Sequence, residues 1–175
     1  MNDLPQRKNI RLTGYDYSQN GAYFVTVCVK DKHELLGKME NIAPDLVGAI
    51  INRPQICLSA CGTIVVKAIE NISKYYPQIL VDKHIVMPNH IHLILFIGLN
   101  HGRLLIAPTS ISVAIQQFKR YITKQIAYSI WQRSYYDRII RNDVEYQNIW
   151  RYIDESPDKW SEDEYYCKIV KGNCS

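Results

Sequence analysis

Two hydrophobic periods alternate along the chain. Ala22-Tyr-Phe-Val-Thr-Val-Cys-Val29 is β-branched and aromatic with almost no polar break, which predicts a strand covered on both faces. Leu35-Leu-Gly-Lys38 predicts a short edge strand, and Gln55-Ile-Cys-Leu58 its returning partner in a small hairpin. Ile64, Val65, Ala68, Ile69 and Ile72 then recur at helical spacing behind Ser59, a residue type that caps helix N-termini. That helix is expected to stop at Tyr75-Tyr-Pro77, because the residue before a proline avoids helical geometry. Ile79–Met87 and His90–Ile97 are two strands separated by Pro88-Asn89, a turn dipeptide, and so form a hairpin. Ile111, Ala114, Ile115, Phe118, Ile122 and Ile126 mark the buried stripe of a long helix from about Ser110 to Ser129. A last helix is expected from about Asp143 to Asp154, with Asn142 as cap and Pro157 closing it. Four main strands and two long helices make an α+β fold, a ferredoxin-like antiparallel sheet with helices packed on it.

The pattern also divides the chain. Residues 1–20 are polar and read as an N-terminal arm. Residues 21–160 form one domain, and 161–175 form a short polar tail. No repeat, linker or low-complexity tract interrupts this. Residues 41–53 and 98–109 show no firm period and read as connections.

Within the hairpin, one strand breaks the apolar rule. Alternate residues of a strand share a face, so His90, His92, Ile94 and Phe96 stand on one side, and Ile91, Leu93, Leu95 and Ile97 on the other. Two imidazoles side by side can ligate a metal, but two ligands do not complete a site. The third must come from elsewhere in the chain.

Composition narrows the function classes. The 175 residues carry a net charge of +4 and are 47% hydrophobic. This permits nucleic-acid binding without requiring it. The five cysteines, at 28, 57, 61, 167 and 174, lack Cys-x-x-Cys spacing. They read as free thiols in a reducing cytoplasm. No apolar run is long enough to span a membrane, and the polar N-terminus lacks a signal-peptide core. Cations and aromatics interleave from Phe118 to Arg141, a combination that suits single strands and hairpins, where bases stack and phosphates pair with Arg. Lys119, Arg120, Arg133, Arg138 and Arg141 belong to this patch, and Arg11 adds a cation in the arm. Tyr152 lies late on the last helix and Tyr121 on the one before it. A phenol serves as a nucleophile only when its pKa, ordinarily about 10, is offset by a cation or metal.

Four stretches together resemble the REP-associated tyrosine transposases, a branch of the single-tyrosine HUH transposases. They are Arg11-Leu-Thr-Gly-Tyr-Asp-Tyr-Ser-Gln-Asn-Gly-Ala-Tyr-Phe-Val-Thr26, Met87-Pro-Asn-His-Ile-His92, Trp131-Gln-Arg-Ser-Tyr-Tyr-Asp-Arg-Ile-Ile-Arg141 and Tyr152-Ile-Asp-Glu-Ser-Pro157. The resemblance covers about residues 10–160 and implies the ferredoxin-like fold. It implies that His90 and His92 bind Mg²⁺ or Mn²⁺. It further implies that Tyr152 attacks a phosphate of single-stranded DNA beside a palindromic hairpin, leaving a 5′-phosphotyrosine and a free 3′-hydroxyl. Relatives often work as homodimers, and a cytoplasmic, nucleoid-associated protein is expected. One position departs from the pattern. The family's third ligand is usually Asn or Gln four residues after the tyrosine, and here that residue is Ser156, with Glu155 as its nearest substitute. The departure keeps a second reading alongside the first: a domesticated hairpin-binding protein that no longer cuts. A histidine-triad hydrolase is disfavoured, because Ile94 stands where that motif needs its third histidine.

Overall fold

Two strands that are apolar almost end to end must be covered on both faces, and they sit at the centre of the sheet. The computed structural model describes residues 20–41, 54–98 and 110–166. In it β1, Gly21–Cys28, pairs antiparallel with β5, His90–Ile97, over their full lengths. Strand β4, Ile79–Val86, flanks β5, and β6, Tyr136–Ile140, flanks β1. The order β4-β5-β1-β6 is all antiparallel, as in a ferredoxin-like sheet. A separate two-stranded sheet joins β2, Gly37–Asn41, to β3, Pro54–Leu58.

Each helix forms where its periodic stripe begins behind a cap. In α1, Ala60–Glu70, the Ser59 hydroxyl accepts from the Gly62 N–H at 3.1 Å. The helix expected to reach Tyr75 breaks at Asn71, whose amide donates to the Lys67 carbonyl at 2.7 Å, and a short α2 follows over Ile72–Tyr75. Helix α3, Ile111–Ile126, is capped by Ser110 and stopped by Ala127, which turns left-handed at φ 65°. In α4, Asp143–Glu155, the Asn142 side chain accepts from the Glu145 N–H at 2.9 Å.

The two faces of β5 bury different things. Ile91, Leu93, Leu95 and Ile97 join Tyr23, Val25 and Val27 of β1 under α1 and α3, and this is the main core. On the other face Ile94 packs with Ile140 of β6 and with Ile149 and Ile153 of α4. Helix α4 thus covers the side of the sheet that carries the histidines. No described helix is long and apolar enough to cross a membrane.

Strand β6 is not among the elements that the hydrophobic pattern predicts. Tyr136 to Ile139 alternate between exposed and half-buried positions, as an edge strand should, and Ile140 is buried against α4. Two charged residues in a short, aromatic-rich run concealed the period. Trp131, in the same run, is a core residue: it bridges to Val29 and packs against Phe118 at 6.1 Å. Cys28, Cys57 and Cys61 are free. The arm with Arg11, the connections at 42–53 and 99–109, and the last nine residues lie outside the described residues.

Ile153 is fully buried at the α4–sheet contact. Ile153→Ala is expected to cost about 2–5 kcal/mol, seen as a lower urea midpoint at unchanged m-value. A loss below about 1 kcal/mol shows that this side chain does not anchor the helix.

Candidate metal and tyrosine site

Burial sets the chemistry of the histidine pair. His90 and His92 are 0% and 1% exposed, and burial penalises a charged imidazole. The His90 pKa is lowered to about 2, by burial first and then by the charges of His92 and Lys32. That of His92 is lowered to about 3 by burial. Both rings are therefore neutral at pH 7, the form that binds metals.

Their orientation follows from the partners of each nitrogen. The Asn89 amide nitrogen donates to the Lys32 and Tyr165 carbonyls at 3.1 and 2.8 Å. Its oxygen therefore faces His90, 2.9 Å from Nδ1. An amide oxygen only accepts, so Nδ1 of His90 carries the proton and Nε2 keeps its lone pair. His92 Nδ1 lies 2.9 Å from the Thr26 hydroxyl, on the facing residue of β1. A hydroxyl donates or accepts, so this contact tolerates either tautomer of His92. The two Nε2 atoms are 3.0 Å apart. When Nδ1 of His92 donates to Thr26, both lone pairs converge on one point.

A carboxylate completes the group. Ligand atoms of His90, His92 and Asp163 all lie within 4.8 Å of one another, close enough to bind a metal. The Asp163 Oδ2 is 3.9 Å from His90 Nε2, and its side chain is 5% exposed. Because His90 is neutral, this contact is not an ion pair. Burial raises the Asp163 pKa, and a hydrogen bond from the Tyr165 N–H, 2.7 Å from Oδ1, opposes the shift. A buried carboxylate facing two imidazole lone pairs gains from a cation between them. The N,N,O donor set fits a borderline divalent ion such as Mn²⁺ better than Mg²⁺, which favours all-oxygen shells.

Helix α4 brings the tyrosine. Tyr152 Oη lies 3.3 Å from His92 Nε2, and its ring packs edge-on to Phe24 at 6.0 Å. The phenol pKa is pushed up to about 12, by burial first and then by Asp163 and Glu164. Tyr121, on α3, lies in the helix layer on the sheet's other face.

Neither ligand expected on α4 joins the group. Ser156 is buried and its hydroxyl donates back to the Tyr152 carbonyl at 2.7 Å. Glu155 pairs with Lys159 at 2.6 Å. Asp163 stands in their place, from a tail segment that the sequence marks only as polar. Tyr165, equally unforeseen, lays its ring 4.6 Å from that of His90.

A cleft of about 480 Å³ opens beside the group, with His92, Tyr152 and Arg138 in its walls. Of the cations expected on DNA, Arg138 alone among the described residues lines it, paired with Glu145 at 2.6 Å. Arg120, Arg133 and Arg141 are exposed elsewhere on the surface. Lys119 is committed to structure: it donates to the Gln132 and Ser134 carbonyls, and burial lowers its pKa to about 8.

No family model matches the chain. A Haemophilus influenzae protein (strain ATCC 51907 / DSM 11121 / KW20 / Rd), named as an uncharacterized protein, is 32% identical over 182 residues, covering 93% of this chain and 94% of the relative. Among solved structures, a REP-associated tyrosine transposase bound to a REP hairpin superposes with a TM-score of 0.60 at 19% identity, covering 86% of this chain and 74% of that one. The resemblance carried by the four sequence stretches is thus matched by a shared fold.

Asp163→Asn is expected to weaken Mn²⁺ binding by about tenfold or more in calorimetric titration, and Asn89→Ala by a similar factor through loss of the His90 tautomer. Ser156→Ala leaves the affinity unchanged. The reverse ranking of Asp163 and Ser156 would return the third ligand to α4.

Proposed function

We propose, for a chain that belongs to one family with the Haemophilus influenzae protein and has the fold of a REP-associated tyrosine transposase, that it cuts and rejoins single-stranded DNA beside a hairpin in a metal-dependent reaction. One observation carries this reading: Tyr152 Oη, 3.3 Å from His92 Nε2, borders a buried His90–His92–Asp163 group at the wall of an open cleft. A nucleophile, an ion site and room for a strand meet there. Hairpin DNA as the partner is supported by the structural relative, whose solved form holds a REP hairpin.

His90, His92 and Asp163 would hold the ion, Mn²⁺ or Mg²⁺. When bound, it polarises the phosphate and offsets charge in the displacement. The protein's own groups do the rest. Asn89 keeps the His90 lone pair turned inward, and the Thr26 hydroxyl accepts from His92 Nδ1 when the His92 lone pair is turned to the ion. Packing of Ile149 and Ile153 under α4 aims Tyr152 at the scissile phosphorus. Its oxygen forms a bond to phosphorus and the P–O3′ bond breaks. The phenolic proton leaves to solvent through the cleft, and the departing 3′ oxygen takes up another. The product is a 5′-phosphotyrosine, whose retained bond energy lets a 3′-hydroxyl reverse the step without a nucleotide cofactor. Tyr152 reaches the histidines of its own chain, so the reading favours attack within one subunit and needs no second copy.

Incubated with a labelled hairpin bearing a single-stranded extension and Mn²⁺, the protein is expected to form a covalent adduct that survives denaturing electrophoresis. Tyr152→Phe is expected to form none; an adduct with that variant assigns the nucleophile elsewhere. Salt-sensitive hairpin binding with no adduct under any divalent ion supports the non-cutting alternative instead.

The raised phenol pKa gives a pH test. The attacking species is the phenolate; with no ion present burial pushes the phenol up to about 12, and a bound cation would lower it from there. With saturating metal, adduct formation is expected to rise with pH from 6.5 to 8.5, by up to roughly tenfold per unit while the phenol remains mostly protonated. A flat or falling profile shows that tyrosine ionisation does not limit the reaction.

A further inference from the structure

We propose that the cleft next to Tyr152 is a pocket for one unpaired nucleobase flanking the cut phosphate, with Tyr136 as its stacking platform. This rests on the function proposed above and names the part of the substrate that the site would read.

Strand register supplies the first argument. Thr26 of β1 faces His92 of β5 on one side and Tyr136 of β6 on the other. The three residues make one row across the sheet, on the face that α4 partly covers. Neighbouring strands are about 4.8 Å apart, so Tyr136 starts about 10 Å from the histidine strand. A nucleotide whose phosphate lay at Tyr152 would hold its base over that row.

Exposure supplies the second. Helix α4 packs against Ile94 and Ile140 and leaves the Tyr136 end of β6 uncovered. Tyr136 is 41% exposed, and it lines the cleft together with Phe24, Thr26, Tyr152 and Tyr165. Tyr165 is 6.5 Å from Tyr136 between ring centroids and tilted by 53°, so the two rings do not stack on each other. The volume of about 480 Å³ falls in the usual range for small-ligand pockets, ~300–1,000 Å³.

Charge decides between a base and a run of backbone. Lys32 and Arg138 line the cleft, but so does Glu164, and Arg138 is already paired with Glu145 at 2.6 Å. Successive phosphates laid through it would meet the Glu164 carboxylate. A neutral base meets no such repulsion and can donate amino hydrogens to a carboxylate, while an aromatic floor is what unpaired bases stack on.

The test uses the full chain and a hairpin whose single-stranded extension carries 2-aminopurine at one position at a time. For the wild type, fluorescence quenching is expected on binding at one position of the extension. Tyr136→Ala is expected to abolish that quenching and weaken binding about 10- to 100-fold without changing the salt slope, and Tyr136→Phe to restore both. Removing the base at that position alone is expected to weaken wild-type binding by a similar factor and Tyr136→Ala binding little. Quenching that persists in Tyr136→Ala, or that occurs at no position in the wild type, overturns the proposal. Adduct formation, followed in the same samples, separates the two claims. Quenching without an adduct removes the cleavage reading and leaves the base pocket, and an adduct without Tyr136-dependent quenching does the opposite.

Discussion

Two imidazoles buried side by side impose the condition on which the rest of this structure depends: four ring nitrogens need partners in a place water does not reach. Unpaired buried polar groups cost about 1–3 kcal/mol each, so the surroundings must supply the partners. Asn89 and Thr26 take the two Nδ1 atoms, and the two Nε2 atoms face each other at 3.0 Å. Asn89 then reaches further. Its amide nitrogen holds the carbonyls of Lys32 and Tyr165, so one side chain ties the hairpin turn to the segment after β1 and to the end of the described chain. The same contacts that satisfy His90 carry Asp163 and Tyr165 to the site.

A sheet with a helical layer on each side is the larger consequence. The apolar face of β5 belongs to the main core under α1 and α3. The histidine face could not remain open, because Ile94 and Phe96 share it. Helix α4 covers those residues with Ile149 and Ile153, and Tyr152, next to Ile153 in sequence, is carried to the edge of the contact. Packing that serves stability therefore also sets the distance between phenol and imidazole.

Electrostatics then give the site its bias. Burial lowers the affinity of both histidines for protons and raises that of Asp163 and Tyr152. Neutral imidazoles, a destabilised carboxylate and a phenol that resists ionisation all favour one change, the arrival of a cation. Ser156 contributes nothing to this, since its hydroxyl is spent on the carbonyl of the preceding turn. The polar tail brings a carboxylate to the histidines where the helix brings none.

The sequence alone determined the local elements. Strands β1, β4 and β5, the caps Ser59, Ser110 and Asn142, the two-faced pattern of β5 and the His90–His92 pair were all legible, because each depends on neighbours within a few residues. Strand β6 was not, since a five-residue edge strand buries too little to leave a strong period. Lys119 and Arg120 illustrate the same limit on the surface: adjacent cations in sequence, one is held by two carbonyls and the other exposed. Only tertiary structure placed Asp163 beside His90 and His92, because a carboxylate in a polar tail looks like any solvated acid until the chain folds back over the sheet. Which oxygen stands beside the two buried nitrogens was decided there, by how the folded chain returns over the sheet.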